Sequence, residues 1–243
     1  MEGFWVYGVN PVREALRAGV PAGKLLLARQ KGVGEILELA ERRGVRVEVV
    51  RRSELSCLLS GIPHQGVALW LEDFPYADLE DVLQGEGEPF IVVLDGIEDP
   101  RNFGAIVRTA EASGVWGVII PKRRAVGVTG VVAKASAGAV FHLPIARVSN
   151  IAQAMKKLKQ KGIWFIGAEA GAGEPVYDLD LRCPLALVIG SEGKGIRPLV
   201  RRECDFLVSI PMKGRINSLN ASVAAAVLMY EVLRQREFSN PGH

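Results

Sequence analysis

The sequence predicts a two-part α/β protein whose larger part is a mainly parallel sheet covered by helices on both faces. Three observations predict it. Apolar runs of strand length alternate with segments whose apolar residues recur at helical spacing. In the second part those runs, at 90–95 and 185–189 for example, are apolar throughout, as strands buried on both faces must be. Charge is also parted along the chain: residues 1–71 carry 10 Lys and Arg against 7 Asp and Glu, residues 72–88 carry 0 against 7, and residues 89–243 carry 20 against 13. An acidic stretch with Pro and Gly between two basic parts reads as a linker, so the expected domains are 1–71 and 89–243, with 72–88 joining them.

In the first part, Asn10 is expected to cap a short helix with Pro11 at its first position and Val12, Ala15 and Leu16 as its apolar stripe. Residues 24–28 read as a strand, 34–43 as an amphipathic helix closed by Gly44, 45–50 as a strand, 53–59 as a helix capped by Ser53, and 67–71 as a strand. The loop Gly61-Ile62-Pro63-His64-Gln65-Gly66 holds the one histidine of this part and offers a base-reading side chain beside flexible backbone. The linker has room for one helical turn.

The second part restarts with the strand 90–95. A helix behind Asn102 ends at Gly114, followed by a strand at 116–120, a small-residue helix at 129–139, a strand at 141–145, and a basic helix capped by Ser149 and ended by Gly162. Strands at 163–168, 185–189 and 206–210 follow, with a short helix at 198–202. Pro211 stops the last strand, Gly214 marks a loop, and Asn217 or Ser218 caps a final helix carrying Val223, Val227 and Tyr230 at helical spacing. Residues 239–243 are expected to fray.

Composition bounds the function. A chain of 243 residues with 49% hydrophobic residues buries a substantial core, and its net charge is +3. Apolar runs fall far short of the roughly 18 residues of a membrane span, and the N-terminus lacks the basic-then-apolar order of a signal peptide, so a cytoplasmic protein is expected. Cys57, Cys183 and Cys204 are odd in number and lack metal-ligand spacing, which fits plain thiols in a reducing compartment and no bound metal. Two basic parts suit a polyanionic partner.

Three loops follow three strands of the second part. The first is Asp99-Pro100-Arg101-Asn102-Phe103-Gly104, with Arg108 on the helix behind it. The second is Gly190-Ser191-Glu192-Gly193-Lys194-Gly195-Ile196, and the third joins Ile210 to the last helix through Met212, Asn217, Ser218 and Asn220. In parallel sheets the crevice beyond the strands' carboxyl ends takes the ligand, and glycines there let a ligand touch backbone. Neither G-x-x-x-x-G-K-[ST] nor a strand-following G-x-G-x-x-G is present, which argues against ATP-splitting and dinucleotide chemistry. No G-x-S-x-G marks an acyl-transfer serine.

Together, Asp99-Pro100-Arg101-Asn102-Phe103-Gly104 with Arg108-Thr109-Ala110, Ile189-Gly190-Ser191-Glu192-Gly193-Lys194-Gly195, and Ile210-Pro211-Met212 with Ser218-Leu219-Asn220-Ala221-Ser222 resemble, in order, the three motifs of the SpoU/TrmH family of RNA ribose 2′-O-methyltransferases, in the SPOUT superfamily. The resemblance covers about 150 residues. Gly8-Val9-Asn10 and His64-Gln65-Gly66 resemble the family's appended ribosomal-protein-like RNA-binding domain, which favours methylases of a guanosine ribose in large-subunit (23S) ribosomal RNA over the tRNA branch. The resemblance implies a deep C-terminal trefoil knot, a homodimer that completes the site, and bent S-adenosylmethionine held around Gly190, Ile210 and Leu219, with Met212 and Ala168 nearby. Asn102, Arg108, Glu192, Ser218 and Asn220 match the family's catalytic positions. Where family members often carry a hydroxyl residue after the strand ending near Gly167, this chain has Ala168-Glu169-Ala170.

A ribose hydroxyl is a poor nucleophile, so methyl transfer needs a proton acceptor, donors for the adjacent phosphate and an in-line methyl. The resemblance makes Arg108 the base; a guanidinium, which holds its proton, suits phosphate binding and charge stabilisation. Asn102 serves as a cap or as a positioner of Arg108 or the ribose, and Glu192 as an orienter of Arg108 or of RNA across a dimer. Ser218 and Asn220 serve as helix caps or as ligands of the ribose or the cofactor carboxylate. The other readings are a tRNA or antibiotic-resistance methylase, or a non-catalytic RNA-binding assembly factor that kept the fold.

Overall fold

The structure, a computed structural model, describes residues 3–29, 31–171 and 174–238; the expected fraying at 239–243 lies outside them. Packing divides the chain into two units. One comprises the chain through Pro75 together with Val128–His142, and the other comprises Tyr76–Gly127 and the chain from Leu143 onward.

The first unit contains β1 (Phe4–Tyr7), α1 (Val9–Ala18), β2 (Ala22–Leu27), α2 (Gly34–Arg42), β3 (Arg46–Val49), α3 (Arg52–Leu58) and β4 (Val67–Leu71). Its sheet runs β1-β4-β2-β3, with β4 antiparallel to both neighbours and β3 parallel to β2. Two caps differ from expectation. Val12 N–H bonds to the Gly8 carbonyl at 3.2 Å, so α1 starts before Asn10, whose side chain accepts from Arg13 Nη2 at 3.2 Å. In α3 the cap position is Arg51, one turn from Glu54, whose carboxylate accepts from Arg51 N–H at 2.9 Å; Ser53 lies inside the helix.

The sequence places 129–139 in the second domain, whereas packing puts it with the first. Here α5 (Gly130–Ala135), capped by Thr129, is shorter than expected and is followed by a 3-10 turn at Ala139–Phe141, and the strand expected at 141–145 begins only at Ile145. A Cβ on Gly130 would lie 2.0 Å from the Trp5 carbonyl oxygen, so α5 approaches β1 more closely than a side chain permits. His142 Nε2 lies 2.9 Å from Glu14 Oε2, and Lys134 Nζ donates to Gln65 Oε1 at 3.1 Å. Helical periodicity shows that such a segment has an apolar face, not which sheet receives it. The acidic stretch is likewise less free than expected: Phe74 is buried in the first unit, and a 3-10 turn at Asp81–Leu83 drives Val82 into the core of the second.

His64 does not read bases. It is 4% exposed, its Nδ1 accepts from Gly66 N–H at 3.0 Å, and the proton on Nε2 is therefore directed at Ser56 Oγ, 3.0 Å away. The ring pins a turn in which Gln65 has φ +56°. Burial, with the Arg52 cation adding to it, lowers the His64 pKa from its ordinary value of 6.5. The unfolded chain therefore binds this proton first as pH falls, and stability declines below about pH 6.5. Urea unfolding at pH 7 and at pH 5.5 checks this, because the loss of stability between the two should shrink in His64→Gln.

The second unit contains β5 (Phe90–Asp95), α4 (Pro100–Ala112), β6 (Gly117–Pro121), β7 (Ile145–Val148), α6 (Ile151–Lys159), β8 (Trp164–Ala168), β9 (Glu174–Pro175), β10 (Leu185–Gly190), α7 (Pro198–Arg201), β11 (Phe206–Ser209) and α8 (Ala221–Glu237). Its sheet runs β7-β6-β5-β10-β8-β11-β9, and every pairing is parallel. Ile91 and Val93 of β5 join a core with Ile151, Met155 and Leu158 of α6 and Val200 of α7. The alternating Val92 and Leu94 are also fully buried, and α8 packs on α4 and β10. Three caps move by one to three residues: Asp99 rather than Asn102 opens α4, Asn150 rather than Ser149 opens α6, and Asn220 rather than Asn217 or Ser218 opens α8. Each of the three accepts from the backbone of the following turn, which satisfies a donor the helix leaves unpaired.

Candidate active site

The strand order reverses between β5 and β10, the place where open parallel sheets form their crevice. Register makes Asp95 and Gly190 partners, Ile189 partners Ala168, and Val208 also partners Ala168, so the carboxyl ends of β5, β10, β8 and β11 lie side by side. The loops leaving β10, β8 and β11 surround a cavity of about 760 Å³. Gly190, Ile210, Leu219, Met212 and Ala168 all line it, and so do Glu192, Ser218 and Asn220.

The β10 loop is a closed turn. Ser191 and Gly195 exchange two backbone hydrogen bonds of 2.9 and 3.1 Å, and the chain folds back so tightly that a Cβ on Gly190 would lie 2.2 Å from the Gly195 carbonyl carbon. A second anchor was not foreseen. Asp95 is buried at the end of β5 and accepts from Arg197 N–H at 2.7 Å and Nε at 2.6 Å, tying the end of the β10 loop to the neighbouring strand. A lone acid closing an otherwise apolar strand was the available signal; its partner lies 102 residues away.

One carboxylate oxygen organises the rim. Glu192 Oε1 accepts from Asn102 Nδ2 at 3.0 Å, Asn220 Nδ2 at 2.5 Å and Ala221 N–H at 3.3 Å. Asn220 Nδ2 also reaches Asn102 Oδ1 at 3.2 Å, while Asn220 Oδ1 accepts from Ser222 and so caps α8. The negative end of this network therefore sits at the N-terminus of α8, where the helix dipole favours it. Within its own chain Glu192 orients Asn102 and Asn220. Arg108 is exposed two turns along α4 and does not line the cavity of its own chain. Glu169, at the departure from the family pattern, lines the cavity, with its carboxylate 2.9 Å from Arg201 Nε.

The cavity fits a nucleoside-sized cofactor. Its volume lies in the usual range for small-molecule sites, Ile189, Val208, Ile210 and Leu219 offer apolar walls, and no side chain rises from the backbone at Gly190. No cysteine is among the described residues that line the cavity, and burial, with Asp205 adding to it, pushes Cys204 up to about 12.

A site of loops and glycines at the carboxyl ends of a parallel sheet, with an asparagine–glutamate network on its rim, defines a small-molecule-dependent enzyme. The profile of the SpoU rRNA Methylase family matches residues 89–230, and that of the RNA 2′-O ribose methyltransferase substrate-binding domain matches residues 5–77. A Bacillus subtilis protein assigned to the TrmH family of tRNA/rRNA methyltransferases, YacO, is 46% identical over 239 residues, covering 96% of both chains. The SpoU methyltransferase AviRb of Streptomyces viridochromogenes, solved in complex with the cofactor AdoMet, superposes with a TM-score of 0.83 at 30% identity over 96% of this chain and 90% of its own. An AdoMet-bound rRNA methyltransferase from Sinorhizobium meliloti gives 0.84 at 28% identity over 98% of this chain and 89% of its own. The chain belongs to the SpoU methyltransferase family.

Proposed function

We propose that the protein transfers a methyl group from S-adenosylmethionine to the ribose 2′-hydroxyl of a guanosine in large-subunit (23S) ribosomal RNA, acting as a cytoplasmic homodimer. The observation that carries this reading is the convergence of Gly190, Ile210, Leu219, Met212 and Ala168 on one cavity whose rim is the Asn102–Glu192–Asn220 network. Ribosomal RNA is favoured over tRNA by the extent of the likeness. AviRb and the S. meliloti rRNA methyltransferase match both units, whereas the Aquifex aeolicus TrmH/SpoU tRNA-modifying enzyme covers 65% of this chain with a TM-score of 0.56. Among the described residues no helix is long and apolar enough to cross a membrane.

When bound, the cofactor supplies an electrophilic methyl group on a sulfonium sulfur. Ile210, Leu219 and Met212 would hold its flat purine beside the closed turn that runs from Gly190 to Gly195. Asn102 and Asn220, fixed through Glu192, set the position of the target ribose, with Ser218 beside them. Arg108 would bind the phosphate next to that ribose and stabilise the charge that develops as the hydroxyl passes its proton to that phosphate. Because Arg108 does not line the cavity of its own chain, it serves the cavity of a second copy. Val223 and Tyr230 of α8, 48% and 51% exposed with Val227 between them, form an apolar stripe on the helix that packs against α4, which supports a dimer through these two helices. The same reading threads the C-terminal part into a trefoil knot, supported by the return of α8 from β11 to α4 and β10.

Labelled S-adenosylmethionine incubated with unmodified 23S rRNA and with tRNA tests the substrate. Label is expected in 23S rRNA; label in tRNA alone would overturn the assignment.

A further inference from the structure

One row of side chains crosses the sheet of the first unit. Register sets Trp5 of β1 opposite Trp70 of β4, Trp70 opposite Lys24 of β2, and Lys24 opposite Arg46 of β3. Residues opposite one another share a face, so each strand contributes one member: indole, indole, ammonium, guanidinium. The two indoles meet edge to face with centroids 5.1 Å apart, and Lys24 Nζ lies 5.8 Å from the Trp5 ring centroid. Arg46 is held at the rim by Glu48, 3.1 Å away, with its side chain 79% exposed. Among the described residues no carboxylate pairs with Lys24.

The chain keeps this row uncovered. Farther along the same face, Tyr7, Leu26 and Ala68 are buried under Leu55 and Leu59 at α3, which leaves the Trp5–Arg46 row beyond the helix. Side chains at Gly3 or Gly23 would meet the Trp70 ring at 2.6 and 3.1 Å, so both flanking positions give their space to the indole. The result is an open depression of about 570 Å³ lined by Trp5, Gly23, Lys24, Arg46, Glu48 and Trp70. Trp5 packs at the edge of the cluster formed by Tyr7, Leu26, Leu55, Leu59 and Ala68, while the side of the indole pair toward Lys24 and Arg46 stays open.

We propose that this row binds an unpaired segment of the RNA substrate, with a base stacked on the Trp70–Trp5 pair and backbone phosphates at Lys24 and Arg46. Strands about 4.8 Å apart place the cations one and two strand spacings from Trp70, beside a base seated on the indoles. Aromatic stacking with neighbouring cations is the chemistry by which single strands are held without sequence preference. The proposal rests on the chain's being an RNA methyltransferase, and adds a site away from the reacting centre.

The test uses the full chain and a short single-stranded oligoadenylate, followed by tryptophan fluorescence. Quenching is expected in the wild type; in Trp5→Leu/Trp70→Leu, where the reporter is gone, binding is read by anisotropy of a dye-labelled oligoadenylate and should weaken by about 5- to 150-fold per stacked base. Lys24→Glu/Arg46→Glu, which reverses the row's two charges and leaves the buried apolar residues unchanged, should weaken binding and flatten its salt dependence with S-adenosylmethionine binding unchanged. If the tryptophan variant misfolds, this charge variant carries the test. No quenching in the wild type, equal quenching by duplex RNA, or unchanged affinity in the charge variant would overturn the proposal. Methyl transfer to RNA is measured in parallel. Its absence despite quenching would sink the methylase reading alone, and normal transfer without quenching would sink the platform alone.

Discussion

Gly190→Ala is expected to weaken S-adenosylmethionine binding about 100-fold while the sheet stays folded. The added Cβ would lie 2.2 Å from the Gly195 carbonyl carbon and 2.3 Å from Ile196 N, and both are backbone atoms, so no rotamer relieves the collision. The loop cannot retreat as a unit either, because Arg197 is held by Asp95 at its far end and the Ser191–Gly195 pair closes it. The turn must therefore open into the cavity it floors. A loss of about 100-fold in affinity, roughly 3 kcal/mol, is expected by calorimetry, with circular dichroism unchanged. Binding within about threefold of wild type would show that the cofactor does not rest on this turn.

Arg108→Ala is expected to lower methyl transfer by about 100- to 1,000-fold while cofactor binding survives, because Arg108 stabilises developing charge and lies outside the cavity of its own chain. Mixing decides where it acts. In a dimer of one Arg108→Ala chain and one Gly190→Ala chain, the intact cavity belongs to the chain lacking the arginine. If Arg108 serves the partner's cavity, random mixing restores about a quarter of wild-type activity, since about half the dimers are mixed and each has one competent site. If it serves its own chain's cavity, mixing restores nothing.

Much of this architecture was legible in the sequence. The apolar runs at 90–95 and 185–189 became fully buried central strands, and the three motif loops came together because parallel strands all deliver their loops to one end of a sheet. What sequence spacing missed was partnership across the chain. Residues 129–139 were read by their neighbours in sequence, while the close approach of Gly130 to β1 settles them in the first unit. His64 was read as a free loop side chain, although its two ring nitrogens are both spent on Gly66 and Ser56. Glu192 was expected to orient Arg108 or, across a dimer, RNA; within its own chain the geometry gives it two asparagines and a helix N-terminus. The Asp95–Arg197 anchor has no sequence signature beyond an acid at a strand end.

In the proposed reaction the cavity beyond β10, β8 and β11 directs a methyl group onto a ribose oxygen. The most direct measurement is alkaline hydrolysis of 23S rRNA labelled from S-adenosylmethionine by the wild-type protein, since a methylated 2′-oxygen cannot attack the adjacent phosphodiester. Label is predicted in an alkali-stable dinucleotide that yields 2′-O-methylguanosine on digestion; label released in mononucleotides carrying a methylated base would contradict the claim.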